Sequence, residues 1–144
     1  MTVDTRPASW FSLRYPVTWS LSEGTECTSL FDETNGSGAL QISAYETDSN
    51  IDAVEALSEY LREEAVSYPD TCSSTVNGAS MAIASYSKEN FCTNVWVLSK
   101  ECRLLLITYA REEGSDSEER ALVKQILATL HLHSRPREIL NGAK

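Results

Sequence analysis

Few side chains here have the type and spacing for covalent chemistry. The two histidines, His131 and His133, stand together near the C-terminal end. Four cysteines, Cys27, Cys72, Cys92 and Cys102, and many serines are candidate nucleophiles. A thiol or hydroxyl needs a neighbouring base to react at neutral pH, and His131 or His133 is what the chain offers. A small hydrolase or thiol enzyme with a Cys or Ser nucleophile and a C-terminal histidine is therefore one function to weigh. Against it, Cys92 and Cys102 fall in segments expected to be buried strands, where thiols are inert. Ser37 lies in Gly36-Ser37-Gly38, a hairpin pattern and not the strand-to-helix elbow of a serine hydrolase. The His131-Leu132-His133 run falls on a predicted helix. Positions two apart on a helix point to different faces, so the rings do not share a metal. No cysteine pair has CxxC spacing and no Cys/His cluster is present. No catalytic residue, metal or cofactor is expected.

The sharper pattern is acidic. Asp52, Glu55, Glu59 and Glu63 are spaced three, four and four, so they line one side of a helix on which Arg62 is the only base. Like charges at that spacing cost a few tenths of a kcal/mol per pair. From Tyr15 to Leu61 there is no lysine or arginine, but there are nine acids: Glu23, Glu26, Asp32, Glu33, Glu46, Asp48, Asp52, Glu55 and Glu59. The chain carries 21 acids, 12 bases and a net charge of −9, so outside this span acids and bases balance. A solubilising face explains the helix alone. A whole third of the chain without a base points further, to a protein partner with a basic surface. Trp19 and Tyr45 are the aromatic anchors available in the span. The same charge disfavours nucleic acid, which needs a basic footprint. The function expected is a non-catalytic cytosolic protein-binding domain of immunity, chaperone or adaptor type. Its oligomeric state is left open.

Composition bounds the setting. The 144 residues are 42% hydrophobic and 23% charged, an ordinary globular balance. One domain over 1–144 is expected, with loose ends at 1–8 and 134–144. No apolar run is long enough to span a membrane. The N-terminal stretch lacks the apolar core of a secretory signal, and the Asn35 sequon is read as a turn. Cys92 and Cys102 sit far apart on one hairpin, so four reduced thiols and a cytoplasmic location are expected.

The elements follow from periodicity. Phe91 to Ala110 reads as a hairpin reversing at Ser99-Lys100-Glu101. Its second arm, Cys102 to Tyr109, is apolar on both sides, with Leu104 and Leu106 facing one way and Leu105 and Ile107 the other. Such a strand belongs in the middle of a sheet with both faces covered. Trp96, beside the turn, is the aromatic most suspected of partial exposure. Four strands precede a helix at 51–68, whose apolar stripe is Ile51, Val54, Leu57, Leu61 and Ala65, capped by Ser49 or Asn50 and closed by Pro69. Four more strands lead to a helix at 116–132, with a capping box from Ser115 to Glu118 and a stripe of Leu122, Ile126, Leu127 and Leu130. The fold class is α+β, an antiparallel meander of about seven or eight strands flanked by two main helices.

The opening Phe11-Ser12-Leu13-Arg14-Tyr15-Pro16-Val17-Thr18-Trp19 is similar to the F-x-[LI]-x-Y-P-x-x-W opening of a superfamily. That superfamily holds the photosystem extrinsic protein PsbP, a Ran-binding nuclear import factor, DcrB-like proteins and effector chaperones of bacterial secretion systems. Gly38-Ala39-Leu40-Gln41-Ile42-Ser43, the acidic helix after it and Leu106-Ile107-Thr108-Tyr109 before the last helix also resemble that pattern. The resemblance implies an α/β/α sandwich that works by binding. It carries over no single function and no site residue.

Overall fold

Three tight reversals build half of this fold, and each is a pair of residues with positive φ. They are Asn77-Gly78 (46° and 85°), Glu89-Asn90 (52° and 67°) and Glu101-Cys102 (49° and 65°). Two successive left-handed residues match the right-handed twist of antiparallel strands. Asn77-Gly78 is the favoured sequence for such a turn. Glu101-Cys102 is not, and a neighbouring loop braces it. The Cys102 N–H donates to Asn50 Oδ1 over 2.8 Å, and the Thr47 N–H donates to the Cys102 carbonyl over 2.9 Å.

The computed structural model describes residues 11–24, 27–33, 38–66, 70–112, 114 and 117–133. The expected loose ends at 1–8 and 134–144, and the positions of Asn35, Pro69 and Ser115, lie outside them. The described strands are β1 (Phe11–Ser12), β2 (Ser20–Glu23), β3 (Cys27–Phe31), β4 (Gly38–Glu46), β5 (Asp70–Val76), β6 (Ala79–Lys88), β7 (Phe91–Lys100), β8 (Arg103–Glu112) and β9 (His131–Leu132). The helices are α1 (Ala53–Glu63), between β4 and β5, and α2 (Ser117–Ala128), between β8 and β9.

Seven strands form one sheet in the order β2-β3-β4-β8-β7-β6-β5. Every neighbouring pair is antiparallel. The doubly apolar strand β8 is the middle one, as its composition requires. Residues β1 and β9 form a separate two-stranded ribbon, Phe11 opposite Leu132 and Ser12 opposite His131.

Each helix packs on one face. Ala53, Leu57 and Leu61 of α1 meet Ala82, Ala84, Val95 and Val97, where the alanines let the helix approach closely. On the other face Val123, Ile126 and Leu127 of α2 meet Leu40, Ile42, Leu98, Leu105 and Ile107. The architecture is an α/β/α sandwich.

Three details depart from the periodicity. The first helix ends at Glu63, not near 68, because Ala65 takes a φ of 56°. The Ala65 N–H then donates to the Arg62 carbonyl and the Val66 N–H to the Leu61 carbonyl, a Schellman closure. Asp52 stands at its N-cap without a side-chain bond, and Asn50 serves the Cys102 turn instead.

The second helix stops at Ala128. Leu130 donates back to the Leu127 carbonyl, and its own carbonyl accepts from Asn77 Nδ2 at 2.6 Å. The chain is then free to pair with β1. His131 therefore lies on a strand and His133 just beyond its end, outside any helix. The helical argument for separating the two rings does not apply.

Trp96 is 5% exposed, buried and not partly exposed. The turn falls at Glu101-Cys102, so Trp96 stands mid-strand opposite Ile107, beneath α2.

Candidate functional site

Cross-strand partners point to the same side of a sheet. On the α1 side, Leu104 pairs with Tyr45, Leu106 with Ser43, and Thr108 with Gln41. The rows continue to Cys27 and Ser29 on β3 and to Ser22 on β2. Among the described residues the helix packs against β6 and β7, touches these rows only at the half-buried Leu104 and Leu106, and leaves the rest of them bare. The reason is width. A helix about 10 Å across covers about two strands spaced about 4.8 Å apart. Hence β8 is fully covered only on its α2 side. Leu105 and Ile107 are 0% exposed, while Leu104 and Leu106 stay half-buried.

The candidate residues divide accordingly. Tyr45 is 49% exposed, on the bare rows beside α1. Asp52, Glu55, Glu59 and Glu63 are all exposed, on the side of the helix away from Ala53, Leu57 and Leu61. Trp19 is 6% exposed and belongs to the α2-side core, so it cannot anchor a partner. It stands at the end of a turn, its N–H donating to the Pro16 carbonyl over 3.0 Å, and its ring joins Phe11, Leu13 and Tyr15 in that core.

Two further apolar residues, overlooked in the sequence, are exposed. Val54 is 46% exposed on α1, and Phe91 is 44% exposed at the start of β7, opposite Glu112 and so at the other end of the sheet from Tyr45, whose partner is Leu104. Val54 sits in the expected apolar stripe, yet Ala53 takes the inward position in its place. The alternation of β7 did mark Phe91, which shares a side with the inward-facing Val95 and Val97 but stands at the strand end.

The acids of this span that lie among the described residues are not one patch. Consecutive segments are commonly neighbours, but α1 lies over β6 and β7, away from β2 and β3. Glu46, Asp48 and Asp52 follow one another from the end of β4 to the start of α1, all exposed. That end is shared with the Glu101-Cys102 turn, to which Asn50 bonds. Asp32 and Glu33 follow β3, which runs antiparallel to β4, and so lie toward the opposite end of the sheet. Glu26 lies outside the described residues. Bases border both ends of the helix. Lys100 shares a shallow hollow with Asp52 and Glu101. At the other end Lys88 Nζ donates to the Glu64 carbonyl over 2.6 Å, near Arg62.

Residues 4–141 match the family described as a domain of unknown function (DUF3805). The chain belongs to this family. No curated protein matches it. Among solved structures it resembles a protein of Bacteroides thetaiotaomicron VPI-5482, with a TM-score of 0.66 and 16% identity over 91% of this chain and 48% of that one. The chain thus spans about half the length of that protein. It also resembles the cyanobacterial PsbP (CyanoP) of Synechocystis sp. PCC 6803, with a TM-score of 0.67 and 9% identity over 90% of this chain and 91% of that one. At these identities the likeness is one of fold, the PsbP-like sandwich that the opening residues and element order imply.

In this DUF3805 domain the four cysteines are free, Cys72 exposed and Cys27, Cys92 and Cys102 half-buried. Cys92 and Cys102 are thus less buried than their strands suggest, because Cys102 stands in the turn and Cys92 near a strand end. Among the described residues no hydrogen bond joins a histidine ring to a thiol or a serine hydroxyl. His131 Nδ1 instead lies 3.1 Å from the Thr129 carbonyl, although Ser12 is its ladder partner. No group of three metal-ligating side chains occurs among the described residues. No helix among them is long and apolar enough to cross a membrane.

Proposed function

We propose that the chain acts without catalysis, as a cytoplasmic protein-binding domain that docks a basic protein partner on the bare sheet rows beside α1. The observation that supports this most is the placement of Tyr45. It is 49% exposed on an uncovered sheet face, and the acids Glu46, Asp48 and Asp52 follow it directly in the chain. Tyrosine combines a large apolar body with a polar tip and is enriched among the residues that dominate interface energies. Val54 extends its apolar contact, and Glu55, Glu59 and Glu63 extend the acidic margin along α1. Acids at a rim chiefly raise the association rate and align the partner, while buried anchors hold it. The docking surface is therefore smaller than the whole acidic third of the sequence. It excludes Trp19, which is buried, and Asp32 and Glu33, which lie toward the other end of the sheet.

Immunity, chaperone and adaptor roles all use such a surface, and a toxin or secretion gene beside this one would choose among them. The direct test isolates the partner from the native host and measures its association with the purified proteins. Changing Asp52, Glu55 and Glu59 together to lysine should slow association at low salt and flatten its salt dependence. Unchanged association of that variant would overturn the acidic part of the proposal, and unchanged affinity of Tyr45→Ala the anchor.

A further inference from the structure

On the opposite side of the sheet α2 leaves another space, a cavity half open to solvent. It measures about 420 Å³ and lies between α2 and strands β5, β6 and β7. Sites for small organic ligands span roughly 300–1,000 Å³. Its floor is apolar, built from Met81, Ile83 and Trp96, with Leu127 of α2 at the side. Met81 and Ile83 remain only half-buried despite facing the helix, because the space above them is unfilled.

Two cations line the same cavity, Arg120 and Lys124. They stand four residues apart on α2, so they share one flank of the helix. Arg120 Nε is shut off from solvent, and no hydrogen-bond partner for it is present among the described residues. Arg120 is half-buried and lines the cavity, and a carboxylate matches its planar fork. Ser85 adds a neutral donor. Its Oγ accepts from Asn94 Nδ2 over 2.8 Å, which leaves the hydroxyl proton free to be given to a ligand.

We infer that this cavity binds a small organic carboxylate with an apolar body. The carboxylate meets Arg120 and Lys124, and the apolar body lies on Trp96, Met81 and Ile83. The site faces away from α1 and does not depend on the protein partner proposed above.

Octanoate and phenylbutyrate are suitable probes, with octanol and octylammonium as neutral and cationic controls. Binding is followed by calorimetry and by the change in tryptophan fluorescence that a ligand on Trp96 produces. Both carboxylates should bind in preference to the two controls. Arg120→Gln should weaken octanoate about tenfold or more, as loss of a charge-assisted bond implies, and should leave octanol unaffected. Lys124→Gln should weaken it less, since its ammonium is a point charge without a fork. Thermal melts of both variants establish that they fold. The inference is overturned if neither carboxylate binds at millimolar concentration, if octylammonium binds as well as octanoate, or if folded Arg120→Gln keeps the wild-type affinity.

Discussion

The hydroxyl of Tyr109 donates to Glu119 Oε1 over 2.6 Å, joining the middle strand of the sheet to the first turns of α2. Tyr109 is 0% exposed and Glu119 8%, so the bond lies within the α2-side core. A buried carboxylate that loses a donor is left with part of its desolvation cost uncompensated. Tyr109→Phe should therefore destabilise the fold by about 1–3 kcal/mol. Urea unfolding should show a lower midpoint with an unchanged slope. Tyr109→Phe combined with Glu119→Gln should cost less than the two separate changes added together, since they share one interaction.

The Asn50 side chain holds the Cys102 turn from 52 residues away in sequence. Asn50→Ala removes that acceptor from a backbone N–H in a left-handed conformation. A loss of about 1–2 kcal/mol is expected, read as a lower melting temperature. Replacing Glu101 and Cys102 by asparagine and glycine together should restore part of it, because those residues adopt positive φ at little cost. If the double replacement lowers stability further, the turn is held by its side chains and not by its backbone preference.

Tyr60 faces Tyr86 across α1 and β6, hydroxyl to hydroxyl at 3.1 Å. Burial first, then the bond to Tyr86, pushes the Tyr60 phenol well above its ordinary 10.0. The folded state thus favours the neutral phenol. Its contribution to stability is complete below the unfolded value of 10.0. It falls as pH rises above that point, because the unfolded chain ionises first. Ultraviolet titration of the native protein beside Tyr60→Phe should show that the phenol lost in the variant is one that ionises late, above its ordinary 10.0. Tyr60→Phe should abolish that late step and make unfolding less steeply pH-dependent in alkali.

At the bare sheet face, Tyr45→Ala should leave the melting temperature nearly unchanged, since the ring is half-exposed. It should weaken partner binding about thirtyfold, the loss typical of an interface anchor worth about 2 kcal/mol. The loss should fall mainly on the dissociation rate. The lysine substitutions on α1 should act mainly on the association rate. Surface plasmon resonance at two salt concentrations separates the two.

Much of this fold is legible in the residues because the signals are local. The double-sided apolarity of Leu104-Leu105-Leu106-Ile107 identifies the middle strand, which buries Leu105 and Ile107 on one side and half-buries Leu104 and Leu106 on the other. Alternation in Leu40-Gln41-Ile42-Ser43 and the left-handed preference of Asn77-Gly78 identify a strand and a turn for equally local reasons. The spacing of Leu57 and Leu61 orients α1, and so gives its acids an outward face wherever the helix is docked.

Where it is docked is not local. The crossing from β4 to a position over β6 and β7 separates acids that are continuous in sequence, and it leaves Tyr45 bare. Strand pairing with β1 takes His131 and Leu132 out of a helix whose periodicity continued through them. The α2 flank bearing Arg120 and Lys124 becomes a ligand cavity only because Trp96, Met81 and Ile83 lie beneath it. Periodicity specifies which side of an element is buried, but the surface it is buried against is set by long-range pairing between strands.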